Sequence, residues 1–534
     1  MRALLFLFCC WAIGIAVVNP SGDFPLNDDW AYARGVRSVV EEGRLVLDTW
    51  PAMTLITQVG IGIAYTKVFS FSFEVLRWST LINALLCTGV MYLLARQLTT
   101  ERVAAFLAAL LLFNPLFFSL SFTFMTEVHF VLLLLLSFWY FFRYAERSDY
   151  SYLAGATVFS VLATLLRQPG LLVPLSAGVV LVFVLHGNGR KALALLPVFV
   201  TYGALKMYLL WSAETFPQLF RVAGLREAIT TLMRKDIDGL LEPLGQQALS
   251  LGLWLLPLTI LLLPHLYGLY RRYALWIAGI GVVLAVVVAT HPDEFPSGNV
   301  FYNLGLGPKV LKGHSAHAGP SVSDSLWNAI DYLALLGLVN LGLLTISPVA
   351  ASYRSIREGK GLTPHARWWM LLLFCATYSF VALLAPISFD RHVLPLLPAV
   401  SILVLPAIDK NKGKLLWGPA LICLSAYTVF SLVATHDYLS WNRARARAYT
   451  YLTDERGIDY RMIDAGFELN GWRQAGPEMH GGPRSWWFVT DDAYIISFIP
   501  HPGYSTERSF SYPTLLPNGS GTLHVLVRTE LLEE

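Results

Sequence analysis

Gly22-Asp23-Phe24-Pro25-Leu26-Asn27-Asp28-Asp29-Trp30-Ala31-Tyr32-Ala33 follows closely on a nearly unbroken apolar run, Ala3 to Val18. Such a run can enter a bilayer, which puts the residues just beyond it at a membrane face. Adjacent carboxylates at that face repel each other and call for water, a cation or a cationic substrate beside them. Local sequence leaves two readings of Asp28 and Asp29 open. They cap or open a following helix, where acids favour the N-terminus, or one of them is a general base for an acceptor hydroxyl or amine.

Working outward, the chain has 534 residues, 55% hydrophobic and only 14% charged, with mean hydropathy +0.54. Soluble domains carry about 25% charged residues. The apolar residues fall into repeated runs of about 20, as a bilayer requires. The expected class is an all-α polytopic membrane protein. No Lys/Arg-rich tract points to nucleic acid. The five cysteines, Cys9, Cys10, Cys87, Cys375 and Cys423, all lie in apolar runs without zinc-ligand spacing, and read as small core residues. Met1-Arg2 before an apolar run has the start of a signal peptide, but no small-x-small site precedes Asn19-Pro20, so an uncleaved first span is expected.

Hydropathy gives about thirteen spans, at 3–19, 75–95, 103–120, 128–145, 151–166, 171–186, 192–211, 247–268, 273–290, 325–348, 368–387, 392–408 and 415–434. Met53 to Phe71 contains Thr54, Thr57, Gln58, Gly60, Gly62 and Lys67 and reads as an interfacial helix. With the N-terminus in the cytoplasm, the short inside loops hold Arg96 and Arg102; Arg143 and Arg147; Arg190 and Lys191; Arg271 and Arg272; Arg354, Arg357, Lys360 and Arg367; and Lys410, Lys412 and Lys414. Every one is basic, as the positive-inside rule demands, and a span at 53–71 would invert all of them. The long segments 20–74, 212–246, 291–324 and 435–534 then lie outside, on one face. The sequence divides into a membrane domain, 1–434, and an extracytoplasmic domain, 435–534. In the latter, Trp486 to Thr490, Ala493 to Phe498 and Thr522 to Arg528 read as strands between turns such as Pro502-Gly503, predicting a small β-rich domain.

The outside face collects other candidates. Glu127 and His129 follow Ser119-Leu120-Ser121-Phe122-Thr123-Phe124-Met125-Thr126 in a tight turn between two apolar helices. An acid at membrane depth lines a polar cavity or caps a helix. Arg167, in Arg167-Gln168-Pro169-Gly170, opposes the outside charge bias; it either snorkels or meets a phosphate or carboxylate. Arg391 and His392, in Phe389-Asp390-Arg391-His392, stand at a helix start where an anion is favoured, although Asp390 could simply pair with Arg391. The 291–324 loop, with His314-x-x-His317, has the length of a lid. Two histidines without a fixed third ligand make a weak metal site. No metal ligand is assigned, and a divalent cation has no support in the sequence.

These residues resemble the GT-C superfamily of membrane glycosyltransferases, in the branch of protein O-mannosyltransferases, lipid A aminoarabinose transferase and Rgt-like galacturonosyltransferases. Asp28-Asp29-Trp30-Ala31-Tyr32-Ala33 looks like the family's Asp-Glu-x-x-Tyr-Ala, with Asp in place of Glu. Phe73-Glu74-Val75-Leu76-Arg77-Trp78 is similar to the stretch before its second span, Glu127 stands where Asp is more usual, and Arg391-His392-x-x-x-Pro395-x-x-Pro398 resembles Arg-Tyr-x-x-Pro-x-x-Pro. The resemblance covers roughly residues 1–410 and leaves the tail unexplained. It implies the GT-C fold in a multi-pass protein of the bacterial plasma (inner) membrane, with the C-terminal domain periplasmic or extracellular. It implies inverting transfer of a sugar from a polyprenyl-phosphate donor to a lipid, glycan or protein acceptor, on the extracytoplasmic face and among membrane lipids. Asp28, with Asp29 and Glu127 near it, takes the catalytic role, and Arg391, His392 and Arg167 hold the donor phosphate.

Two other classes stay open. A transporter or lipid flippase would show internal repeats and mid-span ionisable residues. A polysaccharide polymerase or ligase using a diphosphate-linked donor would need outside arginines such as Arg221, Arg226 and Arg234.

Overall fold

Caps and breakers set the helix boundaries. The computed structural model describes residues 2–216, 230, 233–234, 237–290, 300–301, 304–305, 323–359, 361–384, 389–407, 415–474, 488–489, 491–516 and 519–532. Helix α1 is Arg2–Val18, α2 Asp29–Glu42, α3 Ile56–Phe69 and α4 Phe73–Arg96. Ser72 caps α4 by accepting from the Val75 amide, and Thr100 does the same for α5, Glu101–Leu112. Asn114 turns extended before Pro115, as residues preceding proline do, and caps α6, Pro115–Ser121, which leaves α5 at 61°. Then follow α7, Thr126–Arg147; α8, Tyr150–Thr164; α9, Leu172–Val184; and α10, Asn188–Thr215.

Beyond these lie α11, Ile237–Trp254; α12, Leu256–Leu261; α13, Leu263–Thr290; α14, Asp324–Arg357; α15, Ala366–Leu383; α16, Leu396–Leu403; and α17, Trp417–Thr450. By length and apolarity α4, α7, α10, α14 and α17 can cross a membrane, and the α5–α6 pair makes a bent sixth; α1, α8, α9 and α15 are shorter apolar helices. The run at 247–268 is broken into three helices, with Pro257 and Pro264 in the first turns of the second and third. Proline there lacks an amide that no helical partner would accept. Helix α3 rises only about 21 Å, too short to span. It lies against neighbouring segments instead, with Thr57 donating to Leu162 O and Gln58 to Phe124 O.

The C-terminal region is a four-stranded sheet: β1 Ile463–Asp464, β2 Tyr494–Ser497, β3 Tyr504–Pro513 and β4 Ser520–Arg528, in the order β1-β2-β4-β3. Only β1 and β2 pair in parallel, and a bulge interrupts β3 between Thr506 and Arg508. Strands β2 and β4 fall where the sequence predicts them. Most of the strand expected at Trp486–Thr490 lies outside the described residues, as do nearly all of the 291–324 loop with His314 and His317, and Arg221 and Arg226. Helix α17 runs unbroken through residue 435. Its last turns supply Ala444 and Ala448 to a core with Ile463, Leu469, Ile496 and Val525. The last apolar helix is thereby also the first element of the C-terminal unit, which includes α18, Phe467–Gln474.

The acidic stretch is fastened to α4. Arg77 is buried and donates to the carbonyls of Pro20, Gly22 and Phe24. Asp23 accepts from the Phe73 amide at 2.7 Å, and Glu74 from the Gly22 amide at 3.0 Å. A buried arginine with several carbonyl acceptors fixes a loop that has no secondary structure of its own.

Candidate active site

Asp28 sits at the N-cap position of α2 but makes no capping bond. Its carboxylate reaches elsewhere: Oδ2 lies 2.8 Å from Arg391 Nη2, and Oδ1 accepts from the Trp50 indole at 3.0 Å. Arg391 Nε is 3.3 Å from Glu127 Oε1, and the same oxygen accepts from Arg167 Nη1 at 2.9 Å. Four residues from four separated segments thus form one chain of charges: Asp28, Arg391, Glu127, Arg167. Glu127 is fully buried and Arg391 is 3% exposed. The network contains two acids and two arginines, so its formal charge is zero.

Local structure explains how each side chain arrives. Glu127 occupies the first turn of α7 but does not cap it, and its Oε2 has no hydrogen-bond partner among the described residues. Arg167 stands at the extended residue where α8 ends and a 3₁₀ turn, Gln168–Leu171, begins. Gly170 closes that turn tightly against α8, since a Cβ there would meet Ala163 and Thr164 backbone at 2.5 Å. Arg391 belongs to a second 3₁₀ turn, Asp390–Val393, pinned by Asp390. That carboxylate accepts from the amides of Phe301 at 2.6 Å, Arg391 at 2.7 Å and Val300 at 3.5 Å. Burial pushes the Asp390 carboxyl upward, against the pull of these amides and Arg391. Burial also opposes the charge on Arg391, but Asp28 and Glu127 outweigh it, and the guanidinium is held more firmly protonated than usual.

Asp29 is placed differently. It is buried, its Oδ1 accepts from the Leu26 amide at 2.7 Å, and its Oδ2 accepts from the Phe124 amide at 3.2 Å. It ties the segment between α1 and α2 to the turn before α7 and stays out of the Asp28–Arg391 chain. Burial raises its carboxyl to about 7, against the two amides and Arg77. His392 is half-buried, with its ring edge-on to Phe389 and its carbonyl accepting from Tyr378. It lies near enough to feel both Arg167 and Arg391. His129 turns away, held between Thr80 and Asn83 of α4. Tyr32, the tyrosine of the acidic motif, is buried in the field of all four network residues; desolvation and the two acids raise its phenol well above the usual range.

Sequence reasoning missed Trp50 and the pinning role of Asp390. Asp390 was visible only as a neighbour of Arg391, and nothing in Asp48-Thr49-Trp50-Pro51 marks an indole aimed at a carboxylate 22 residues earlier. Among the described residues, no group of three His, Cys, Asp or Glu side chains is arranged to hold a metal ion.

Comparison with known proteins adds the following. A family model described as dolichyl-phosphate-mannose-protein mannosyltransferase matches residues 61–212, a stretch that includes Glu127 and Arg167. No curated protein sequence matches the chain. Among solved structures, ArnT from Cupriavidus metallidurans bound to undecaprenyl phosphate is 14% identical over 99% of this chain and 98% of its own, with a TM-score of 0.44. AglB, an archaeal oligosaccharyltransferase from Archaeoglobus fulgidus in complex with an inhibitory peptide and a dolichol-phosphate, is 16% identical over 85% of this chain and 58% of its own, with a TM-score of 0.46. In its matched segment, from α3 to α10, the chain resembles the GT-C superfamily of membrane glycosyltransferases.

Proposed function

We propose that this protein is a membrane glycosyltransferase that moves a hexosyl or pentosyl unit from a polyprenyl-phosphate donor to a lipid, glycan or protein acceptor. The observation that carries the reading is the charge network, in which a partly accessible Asp28 meets buried Arg391, and Glu127 links Arg391 to buried Arg167. The mannosyltransferase family model over residues 61–212 supports the reaction class. The basic inside loops support an extracytoplasmic site with the N-terminus cytoplasmic, and the bacterial inner membrane is what the family resemblance implies.

In this reading the donor phosphate takes up guanidinium hydrogen bonds of Arg391 and Arg167 and loosens the Asp28–Arg391 pair. The freed Asp28 carboxylate accepts the proton of the acceptor hydroxyl as that oxygen bonds to the anomeric carbon. The bond from the anomeric carbon to the phosphate oxygen breaks, and its electron pair leaves with the polyprenyl phosphate, which gains one negative charge. Arginines already in place stabilise that charge without reorganising. One displacement, with Asp28 as base and no enzyme nucleophile, inverts the anomeric centre. Asp29 positions the loop, His392 lines the phosphate site, and the arginines supply the positive charge that a divalent cation would otherwise bring.

The test uses full-length protein in detergent, with undecaprenyl phosphate carrying mannose, aminoarabinose or galacturonate as donor and a bacterial envelope lipid and glycan extract as acceptor. Wild type consumes one of these donors and releases undecaprenyl phosphate. Asp28→Asn keeps its fold and loses at least roughly 100-fold in turnover, the scale of a general base. Undiminished turnover by Asp28→Asn overturns the assignment.

A further inference from the structure

Among the contacts of the C-terminal unit with the segment that follows α1, one set leads to Asp28. Arg34 of α2 donates to the carbonyls of Gly471 at 2.7 Å and Trp472 at 3.0 Å, near the end of α18. A cation there meets unpaired helical carbonyls and the negative end of the helix dipole. The same guanidinium pairs with Asp48 at 2.9 Å, and Asp48 Oδ1 accepts from the Trp50 amide at 2.9 Å. Trp50 completes the path with its indole bond to Asp28.

Packing runs parallel to these bonds. The Trp50 ring lies 5.4 Å from Phe467, the first residue of α18, and 5.6 Å from Phe488, both tail residues. Trp30, which is fully buried, contacts the same two rings at 6.1 and 5.5 Å. Gly471 makes the approach possible: a Cβ there would stand 2.5 Å from the Trp30 ring. Aromatic contacts of this kind fix ring orientation as well as burying area.

We infer that Trp50 is a positioning residue for Asp28, and that the C-terminal unit holds it in place through α18, Arg34 and Asp48. The tail is then part of the reacting site. Of the two oxygens of Asp28, one is held by Trp50 and the other by Arg391; when phosphate draws Arg391 away, Trp50 remains as the fixed hold. The inference rests on the proposed role of Asp28 as base.

Two measurements on the full-length protein separate the link from the reaction. The first is hydrogen–deuterium exchange over peptides covering residues 22–50, in wild type, Gly471→Ala and Arg34→Gln. Both variants are expected to speed exchange there, and unchanged exchange in both overturns the link. The second is turnover of whichever of the three undecaprenyl-phosphate sugars the wild type consumes. Trp50→Phe keeps the ring and removes the donor. It should lower kcat about 10- to 100-fold, as a misplacement of about 1 Å does, while donor KM stays within about twofold and the apparent melting temperature is retained. Gly471→Ala should add little in the Trp50→Phe background, since effects that share one route do not add. Unchanged kcat in Trp50→Phe, or a loss entirely in KM, overturns the positioning role. Faster exchange in the variants of a protein whose wild type consumes none of the three sugars upholds the mechanical link and sinks the glycosyltransferase reading instead.

Discussion

Replacing Glu127 by Gln should tighten phosphate binding while weakening the fold. Glu127 shares one oxygen between Arg167 at 2.9 Å and Arg391 at 3.3 Å. A phosphate using those guanidinium groups would sit about 5 Å from the carboxylate. At an effective dielectric near 20, that repulsion is about 3 kcal/mol per unit of phosphate charge. Reorientation of the arginines and water entering with the ligand recover part of it, leaving a gain in affinity of roughly 10- to 100-fold for the glutamine variant. The same change strands buried Arg167 without an acid, which costs about 3 kcal/mol. Turnover should fall, because the arginines lose alignment and the product leaves slowly. The assay is binding of undecaprenyl phosphate to wild type and Glu127→Gln by thermophoresis at fixed salt, with the apparent melting temperature read alongside. Equal or weaker binding by a folded Glu127→Gln protein would show that the arginine pair is not where phosphate goes.

Two further outcomes follow from buried charge. Asp29 titrates at about 7 against a usual 3.8, so the folded protein keeps a proton that the unfolded chain has already lost between those values. Stability is then greatest at the acid end of that window and declines towards pH 7, by at most about 4 kcal/mol; the melting temperature of Asp29→Asn should start below wild type at pH 5 and close the gap by pH 8. Arg445 of α17 is buried against Glu468 of α18 at 2.7 Å. Arg445→Met alone should cost about 3 kcal/mol by leaving that acid unpaired, and adding Glu468→Leu should recover most of it, as melting temperatures will show.

Much of this site was legible because sidedness is written in the loops. Under the positive-inside rule the basic loops predict one shared face for Asp28, Glu127, Arg167 and Arg391. Their pairing was not legible, because it depends on where four non-adjacent segments converge. The division between Asp28 and Asp29 is the sharper case. Successive helical residues point about 100° apart, so one carboxylate faces Arg391 and the other turns inward. Which one does so is decided by the Phe124 amide, 95 residues away, and backbone donors leave no mark on sequence. The cap reading of the pair holds in position, with Asp28 at the N-cap and Asp29 in the first turn of α2, but Arg391 and Trp50, not cap amides, occupy the Asp28 oxygens. The strands at Tyr494–Ser497 and Ser520–Arg528 are visible from alternation and β-branched content, and residues 435–445 read as a helix leaving the membrane, which α17 carries on to Thr450. Hydropathy ends a span where polar residues begin, but a helix continues as long as its amides find carbonyls.

On the proposed reading, with Asp28 as base and the arginines as the phosphate site, the zero charge of the network has a mechanistic consequence. A donor phosphate adds one negative charge to a site whose acids and arginines already balance, so it binds only by displacing an acid from an arginine. Glu127 is fully enclosed and held by two guanidinium groups, whereas Asp28 is 15% exposed at its side chain and held by one. Asp28 is therefore the acid that yields. Donor binding and release of the base are then a single event. An empty site keeps its base paired, and a filled one frees it next to the bond that is to break. Water entering an empty site finds no free carboxylate to deprotonate it, which gives the pairing a use beyond stability: it ties the base to the presence of the donor.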